Sequence, residues 1–193
     1  MAEPEGITVT LLVTDALEAL GVPYLIGGSL ASALYGVVRS TLDADLVADL
    51  RREHVQPLVS ALSQVFYVDG EAIREAIEHR SCFNVIHQET LFKVDVFAPG
   101  GRPFDRAEFA RRGRRVLSRE PERSAWFASA EDIVLAKLEW YRAGGEVSER
   151  QWRDVVGVLK TQAGRLDLDY LRPAAIALGV ADLLDQAVAA SAS

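Results

Sequence analysis

The stretch Ile26–Val47, "IGGSLASALYGVVRSTLDADLV", constrains the fold of this chain more than any other. The preceding "PYL" runs into it as a short apolar strand that ends on the small-residue turn Gly27-Gly28-Ser29. A helix is expected from Ser29 to about Tyr35, where Gly36 stops it, and "DADLVA" alternates as a strand does. Residues two apart on a strand share a face, with Cα atoms ~6.5–7 Å apart. Asp43 and Asp45 therefore project together, while Leu42, Ala44 and Leu46 are expected to turn into a core. Two parallel carboxylates repel one another and are tolerable only in water or around a cation.

The remaining pattern gives an α+β chain followed by helices. A first helix is expected from about Thr8 to Leu20, ended by Gly21 and Pro23. "EHVQPLVSALSQ" and "EAIREAIEH" read as helices, with Pro57 tolerable only near a first turn. "SCFNVIHQ" and "LFKVDVFAP" are strand-like and read as an antiparallel hairpin turning at Glu89-Thr90, without the glycine or asparagine such turns favour. From Ser129 onward the periodicity is helical throughout, with helices at about 130–142, 147–162, 168–178 and 180–190. Ser129 is a candidate N-cap, with Asp132 three residues on. The expected plan is an α+β part over residues 1–125, then a helical bundle over 126–193.

Between Arg102 and Arg123 lie eight arginines and four acids. That stretch suits either a phosphate-binding edge for a nucleic acid or a solvated loop. A formal net charge of −7 argues against a broad nucleic-acid-binding surface without excluding a local basic groove. The 193 residues, 49% of them hydrophobic, suffice for a real core. Cys82 is the sole cysteine, which excludes an intramolecular disulfide and cysteine metal clusters; its strand-like flanks suggest an inert buried thiol. His54, His79 and His87 have no metal-ligand spacing. The N-terminus lacks a signal-peptide pattern, and no apolar run approaches the ~20 residues of a spanning helix, so a cytoplasmic protein with no membrane partner is expected.

The chemistry comes from combining the parts. Asp95, between Val94 and Val96, is a third carboxylate in the same pattern. If its strand lies beside that of Asp43 and Asp45, three carboxylates meet on one surface, a donor set for a hard cation such as Mg²⁺ or Mn²⁺. Gly27 and Gly28 allow a close backbone approach, and free N–H groups at a helix start near Ser29 bind phosphate. A phosphate seat followed by a metal seat suits a nucleoside triphosphate. Taken singly, each part has a plain reading: a solvated Asp-x-Asp, a simple turn, a surface charge. Lys93, on the face of Asp95, is explained as well by a salt bridge as by function.

"LIGGSLASALYGVVRSTLDADLV" together with "KVDVF" resembles the minimal core of the polymerase-β-like nucleotidyltransferase superfamily. The resemblance implies a nucleotidyltransferase-like fold with a mixed β-sheet and flanking helices, triphosphate binding by Gly28 and Ser29, metal binding by Asp43, Asp45 and Asp95, and a role for Asp95 in activating the acceptor hydroxyl. "RSTLDADL", "SAEDIVLAKLEWYRAG", "RQWRDVVGVL" and the tail "LDLDYLRPAAIALGVADLLDQAV" are similar to the AbiEii-like nucleotidyltransferases, toxins of abortive-infection and toxin–antitoxin systems. That similarity implies functional roles for Lys137 and Asp154 and a possible cognate antitoxin. Arg39 and Thr41, just ahead of the acids, are weaker candidates for phosphate contacts. Read without the resemblance, Lys137 is a lysine snorkelling from apolar neighbours and Asp154 a partner for an adjacent helix. Two functions follow. One is an enzyme that transfers an NMP from an NTP to a hydroxyl of tRNA, a protein or a small molecule such as an aminoglycoside. The other is a non-catalytic nucleotide-binding or partner-binding module.

Overall fold

The computed structural model describes residues 5–36, 41–119 and 121–192. In chain order its elements are α1 (Glu5–Ala19), β1 (Tyr24–Ile26), α2 (Gly28–Tyr35), β2 (Asp43–Ala48), α3 (Val55–Leu62), β3 (Phe66–Tyr67), α4 (Gly70–His79), β4 (Cys82–His87), β5 (Lys93–Phe97), α5 (Pro103–Arg111), β6 (Gly113–Arg119), β7 (Glu122–Phe127), α6 (Ala130–Ala143), α7 (Glu149–Thr161), α8 (Leu168–Ala177) and α9 (Ala181–Ser191). They fall into two compact units. The first holds the described residues up to Gly27 together with Thr41–Phe127; the second holds α2 and the chain from Ala128 onward.

The first unit is built on a seven-stranded sheet in the order β3-β4-β5-β2-β1-β7-β6. The β2–β5 and β1–β7 pairs are parallel and the others antiparallel. Alternation along β2 sends Ala44, Leu46 and Ala48 to one face, where all three are fully buried. Val94 and Val96 of β5 and Phe83 and Val85 of β4 stand in register with them and are equally buried. α1, with Val9, Val13 and Leu17 buried, packs near β2 and against α3. Leu42 does not share this core. It lies one residue before β2 begins and is 88% exposed, because the pleat that would turn it inward has not yet started.

Two local expectations change. The β4–β5 connection is longer than a Glu89-Thr90 turn: it spans residues 88–92 and is closed by a bond from the His87 N–H to the Phe92 carbonyl (2.9 Å). Leu91 takes the left-handed conformation there (φ 59°) that glycine usually supplies. The Thr90 hydroxyl holds the turn, 3.0 Å from His87 Nδ1 and accepting the Phe92 N–H at 3.2 Å. The arginine-rich stretch is not a loop but α5 followed by the β6–β7 hairpin. Pro103 occupies an early position of α5, and Asp105 accepts the Arg102 N–H at 2.9 Å, which caps the helix start. Arg112 and Arg114 stack on the Trp126 ring, 4.9 and 5.6 Å from its centroid, so guanidinium planes cover the aromatic surface that a strand would otherwise expose. Charged side chains also suit β6 as an edge strand.

The second unit consists of α2 and the four helices α6 to α9, whose positions follow the apolar periodicity closely. Ser129 caps α6 by accepting the Asp132 N–H (3.1 Å). Asp132 is fully buried, and its carboxylate accepts from the Ser129 hydroxyl (2.7 Å) and the Tyr170 phenol (2.6 Å), so neither oxygen is stranded. At the end of α2, Gly36 lies so near α7 that a Cβ there would stand 2.9 Å from the Val158 nitrogen and 3.1 Å from the Gly157 carbonyl carbon. The Gln162 amide donates to the Tyr35 carbonyl at 2.8 Å, which ties the same two helices together.

Candidate active site

β2 and β5 run parallel in a register that pairs Asp45 with Asp95 and Asp43 with Lys93. Strand alternation places all four side chains on the face opposite the buried alanines and valines. β4 adds Asn84 opposite Asp95, and Cys82 two residues away on the same face. The three acids expected to meet are therefore brought to one surface of the first unit, and each is partly exposed. Gly27, at the end of β1, donates its N–H to the Asp45 carbonyl at 2.8 Å, fixing the glycine turn against the acid-bearing strand. Gly28 follows with φ 50°, a left-handed backbone that favours glycine. Ser29 is buried in the first turn of α2. Arg39 lies outside the described residues.

The carboxylates are held by neighbouring polar groups. Lys93 Nζ lies 2.8 Å from Asp95 Oδ2. The Asn84 amide donates to Asp95 Oδ1, so both oxygens of this acid are engaged. Thr41 Oγ1 stands 2.8 Å from Asp43 Oδ1, which makes it a support for an acid in the first unit. The hydrogen bond to Asp95, with the charges of Asp95 and Asp43, holds the Lys93 ammonium above the usual lysine range. Burial first, then the negative charges of Asp95 and Asp45, push the Cys82 thiol up to about 11. The thiol is thus protonated at neutral pH and half-buried, not fully enclosed.

A divalent cation fits this face in the kind of donor it offers, three carboxylates from two adjacent strands. It does not find a preformed cage: among the described residues no three His, Cys, Asp or Glu side chains are gathered as a metal-binding group. Asp95 is turned to Lys93 and Asn84, and Asp43 to Thr41. Asn84 escaped the sequence reading, although pairing the β4–β5 hairpin residue by residue would have set it opposite Asp95.

In the second unit, Lys137 of α6 and Asp154 of α7 form an ion pair of 2.9 Å, each side chain only 9% exposed. Gln151 supplies a further acceptor to the ammonium at 3.3 Å. Lys137 is therefore a buried, paired lysine and not one that snorkels to the surface.

No protein-family model matches the chain, and no curated protein matches it. Among the described residues no helix is long and apolar enough to cross a membrane. Solved structures do match over most of the chain. A nucleotidyltransferase-like protein from Paracoccidioides brasiliensis, described as antigenic, is 17% identical, with a TM-score of 0.57, covering 96% of this chain and 93% of its own. The lincosamide antibiotic adenylyltransferase LnuA, solved with lincomycin bound, is 16% identical, with a TM-score of 0.52, covering 82% and 98%. ANT(2'')-Ia in complex with adenylyl-2''-tobramycin is 15% identical, with a TM-score of 0.51, covering 96% and 95%. The chain thus has a nucleotidyltransferase-like fold: a mixed sheet with flanking helices and a helical C-terminal part.

Proposed function

We propose that the protein is a divalent-metal-dependent nucleotidyltransferase that moves an NMP from an NTP to a hydroxyl of a small molecule. The observation that carries this reading is the register of β2 and β5, which sets Asp43, Asp45 and Asp95 on one partly exposed sheet face. In this reading Gly27, Gly28 and Ser29 receive the phosphates through backbone N–H groups, with Arg39 and Thr41 nearby in sequence. Asp43, Asp45 and Asp95 hold Mg²⁺ or Mn²⁺, which supplies positive charge to the phosphate oxygens as charge develops on them. The acceptor oxygen attacks the α-phosphorus, the α–β anhydride bond breaks and pyrophosphate leaves, while Asp95 takes up the hydroxyl proton. Lys137 and Asp154 are proposed to serve the nucleotide as a pair, with the ammonium oriented by the carboxylate. A small-molecule acceptor is favoured by two neighbours, one a lincosamide antibiotic adenylyltransferase and the other solved in complex with adenylyl-2''-tobramycin. The sequence similarity to AbiEii-like toxins supports a second acceptor class, tRNA or protein, and a cognate antitoxin.

Incubation with each α-³²P-labelled NTP, Mg²⁺ and separate pools of small hydroxylated metabolites, tRNA and protein tests the proposal. Label in the small-molecule pool with equimolar pyrophosphate supports it; label only in tRNA or protein supports the toxin reading. The engagement of Asp95 by Lys93 and Asn84 favours one further reading, a non-catalytic nucleotide-binding or partner-binding module in which Asp95 stays paired. Nucleotide binding without pyrophosphate release from any pool would select it.

A further inference from the structure

We infer that Lys93 is a counter-ion that stands in for the divalent cation when the acid face is empty of metal, and that metal loading displaces its ammonium from Asp95. This rests on the proposed metal-binding role of the three acids. The register sets Lys93 directly beside Asp43 and two residues from Asp95, so its ammonium rises from the same sheet face as the three acids. It reaches Asp95 Oδ2 at 2.8 Å, while Asn84 occupies Oδ1. Asp95 is well enclosed, its side chain 14% exposed, so an uncompensated carboxylate there would be costly; Lys93 is 42% exposed and has room to swing outward. A lysine is suited to this exchange because its ammonium is a mobile point charge on a flexible stem, without the fixed bidentate grip of a guanidinium.

The same geometry explains why three acids on one face do not stand as a preformed metal group. A face carrying Asp43, Asp45 and Asp95 without any cation would hold three like charges across two adjacent strands. The ammonium removes part of that repulsion and keeps the Asp95 strand position intact until a stronger cation arrives. The cost is competition: any divalent ion must displace a bound positive charge, so the lysine lowers metal affinity while stabilising the metal-free protein.

Mn²⁺ binding to the full chain, followed by electron paramagnetic resonance of the free ion, tests this. Wild type, Asp45→Asn, Lys93→Met, Lys93→Gln and Lys93→Arg are compared, with thermal melts in EDTA and in saturating Mg²⁺. Removing the positive charge in Lys93→Met or Lys93→Gln is expected to tighten Mn²⁺ about tenfold, whereas Lys93→Arg, which keeps the charge and grips the carboxylate more firmly, is expected to bind Mn²⁺ no more tightly than wild type. Lys93→Met is also expected to melt earlier than wild type in EDTA and to gain more from Mg²⁺. If wild type binds Mn²⁺ and Asp45→Asn does not, yet neither neutral Lys93 variant binds more tightly, the counter-ion inference is overturned and the metal site stands. If wild type and the neutral variants all fail to bind Mn²⁺, the metal reading falls and this inference with it.

Discussion

Lys137 and Asp154 join α6 to α7 through a 2.9 Å ion pair that water scarcely reaches. A single substitution of either residue leaves the other charge buried without its partner, and such losses cost about 3–5 kcal/mol. Lys137→Met is therefore expected to lower unfolding stability by that amount, measured by urea denaturation, whatever it does to nucleotide binding. The apolar stem that methionine retains does not replace the positive charge that Asp154 loses.

The double variant Lys137→Met/Asp154→Leu separates structure from function. Replacing both charges with apolar groups removes the uncompensated buried charge, so stability should return to within about 1–2 kcal/mol of wild type. Titration calorimetry with a non-hydrolysable NTP and Mg²⁺ then reads the functional role alone. Affinity lost in a stable double variant assigns the pair to the nucleotide; unchanged affinity reduces it to a helix clamp.

Asp43→Asn and Asp45→Asn are each expected to reduce transfer at least about a hundredfold, since each removes a charged ligand from the cation. Both side chains lie on the partly exposed face, away from the buried alanines of β2. Melting temperatures in EDTA should hold or rise as repulsion is relieved. Pyrophosphate release and thermal melts on the same preparations check both halves, and full activity in either variant would remove the metal assignment.

Where the sequence carried the fold, it did so through periodicity and punctuation. β2 runs over the same six residues that "DADLVA" suggested, and burial alternates along all six although Val47 breaks the polar–apolar alternation. The C-terminal helices were legible because Ser129, Gly144, Gly164 and Gly179 bracket long apolar repeats. The arginine-rich stretch was not legible as α5, β6 and β7. Its arginines stack on Trp126 and pair with acids such as Asp15 and Glu18, contacts that exist only once α1 and the β6–β7 hairpin are folded. Spacing put Asp43 and Asp45 on one face and Lys93 beside Asp95, but it did not reach the partners that come from other elements. Asn84 meets Asp95 through a hairpin register, and Lys137 meets Asp154 through helix packing across 17 residues. Leu42 shows the converse: alternation extrapolated one residue beyond the strand gave the wrong face.

Gly36→Ala should destabilise the second unit. A methyl group would meet backbone atoms of α7 near 3 Å, and backbone cannot rotate away as a side chain can. Overpacking of this kind costs about 1–3 kcal/mol. Chemical denaturation should show the loss, with hydrogen exchange rising first at the C-terminal end of α2 and around Gly157.

Cys82 reports on the charge of the acid face. With its pKa pushed up to about 11, only about one molecule in a thousand carries thiolate at pH 8, so iodoacetamide should react far more slowly than with an ordinary cysteine. Burial is the largest cause and survives substitution of the acids; the charges of Asp95 and Asp45 come next. Asp95→Asn removes the larger of these two charges and releases Lys93, and both changes favour the thiolate. The expected result is faster alkylation between pH 7 and 9, with the pH–rate curve moved to lower pH but still above that of the unfolded protein. Asp45→Asn should give a smaller shift in the same direction. Saturating Mg²⁺ should accelerate alkylation of wild type if it neutralises the same acids, and should have less effect on Asp95→Asn. A pH–rate profile identical in wild type and Asp95→Asn would show that Cys82 does not sense the acids and would overturn the electrostatic coupling between β4 and β5 on which this prediction stands.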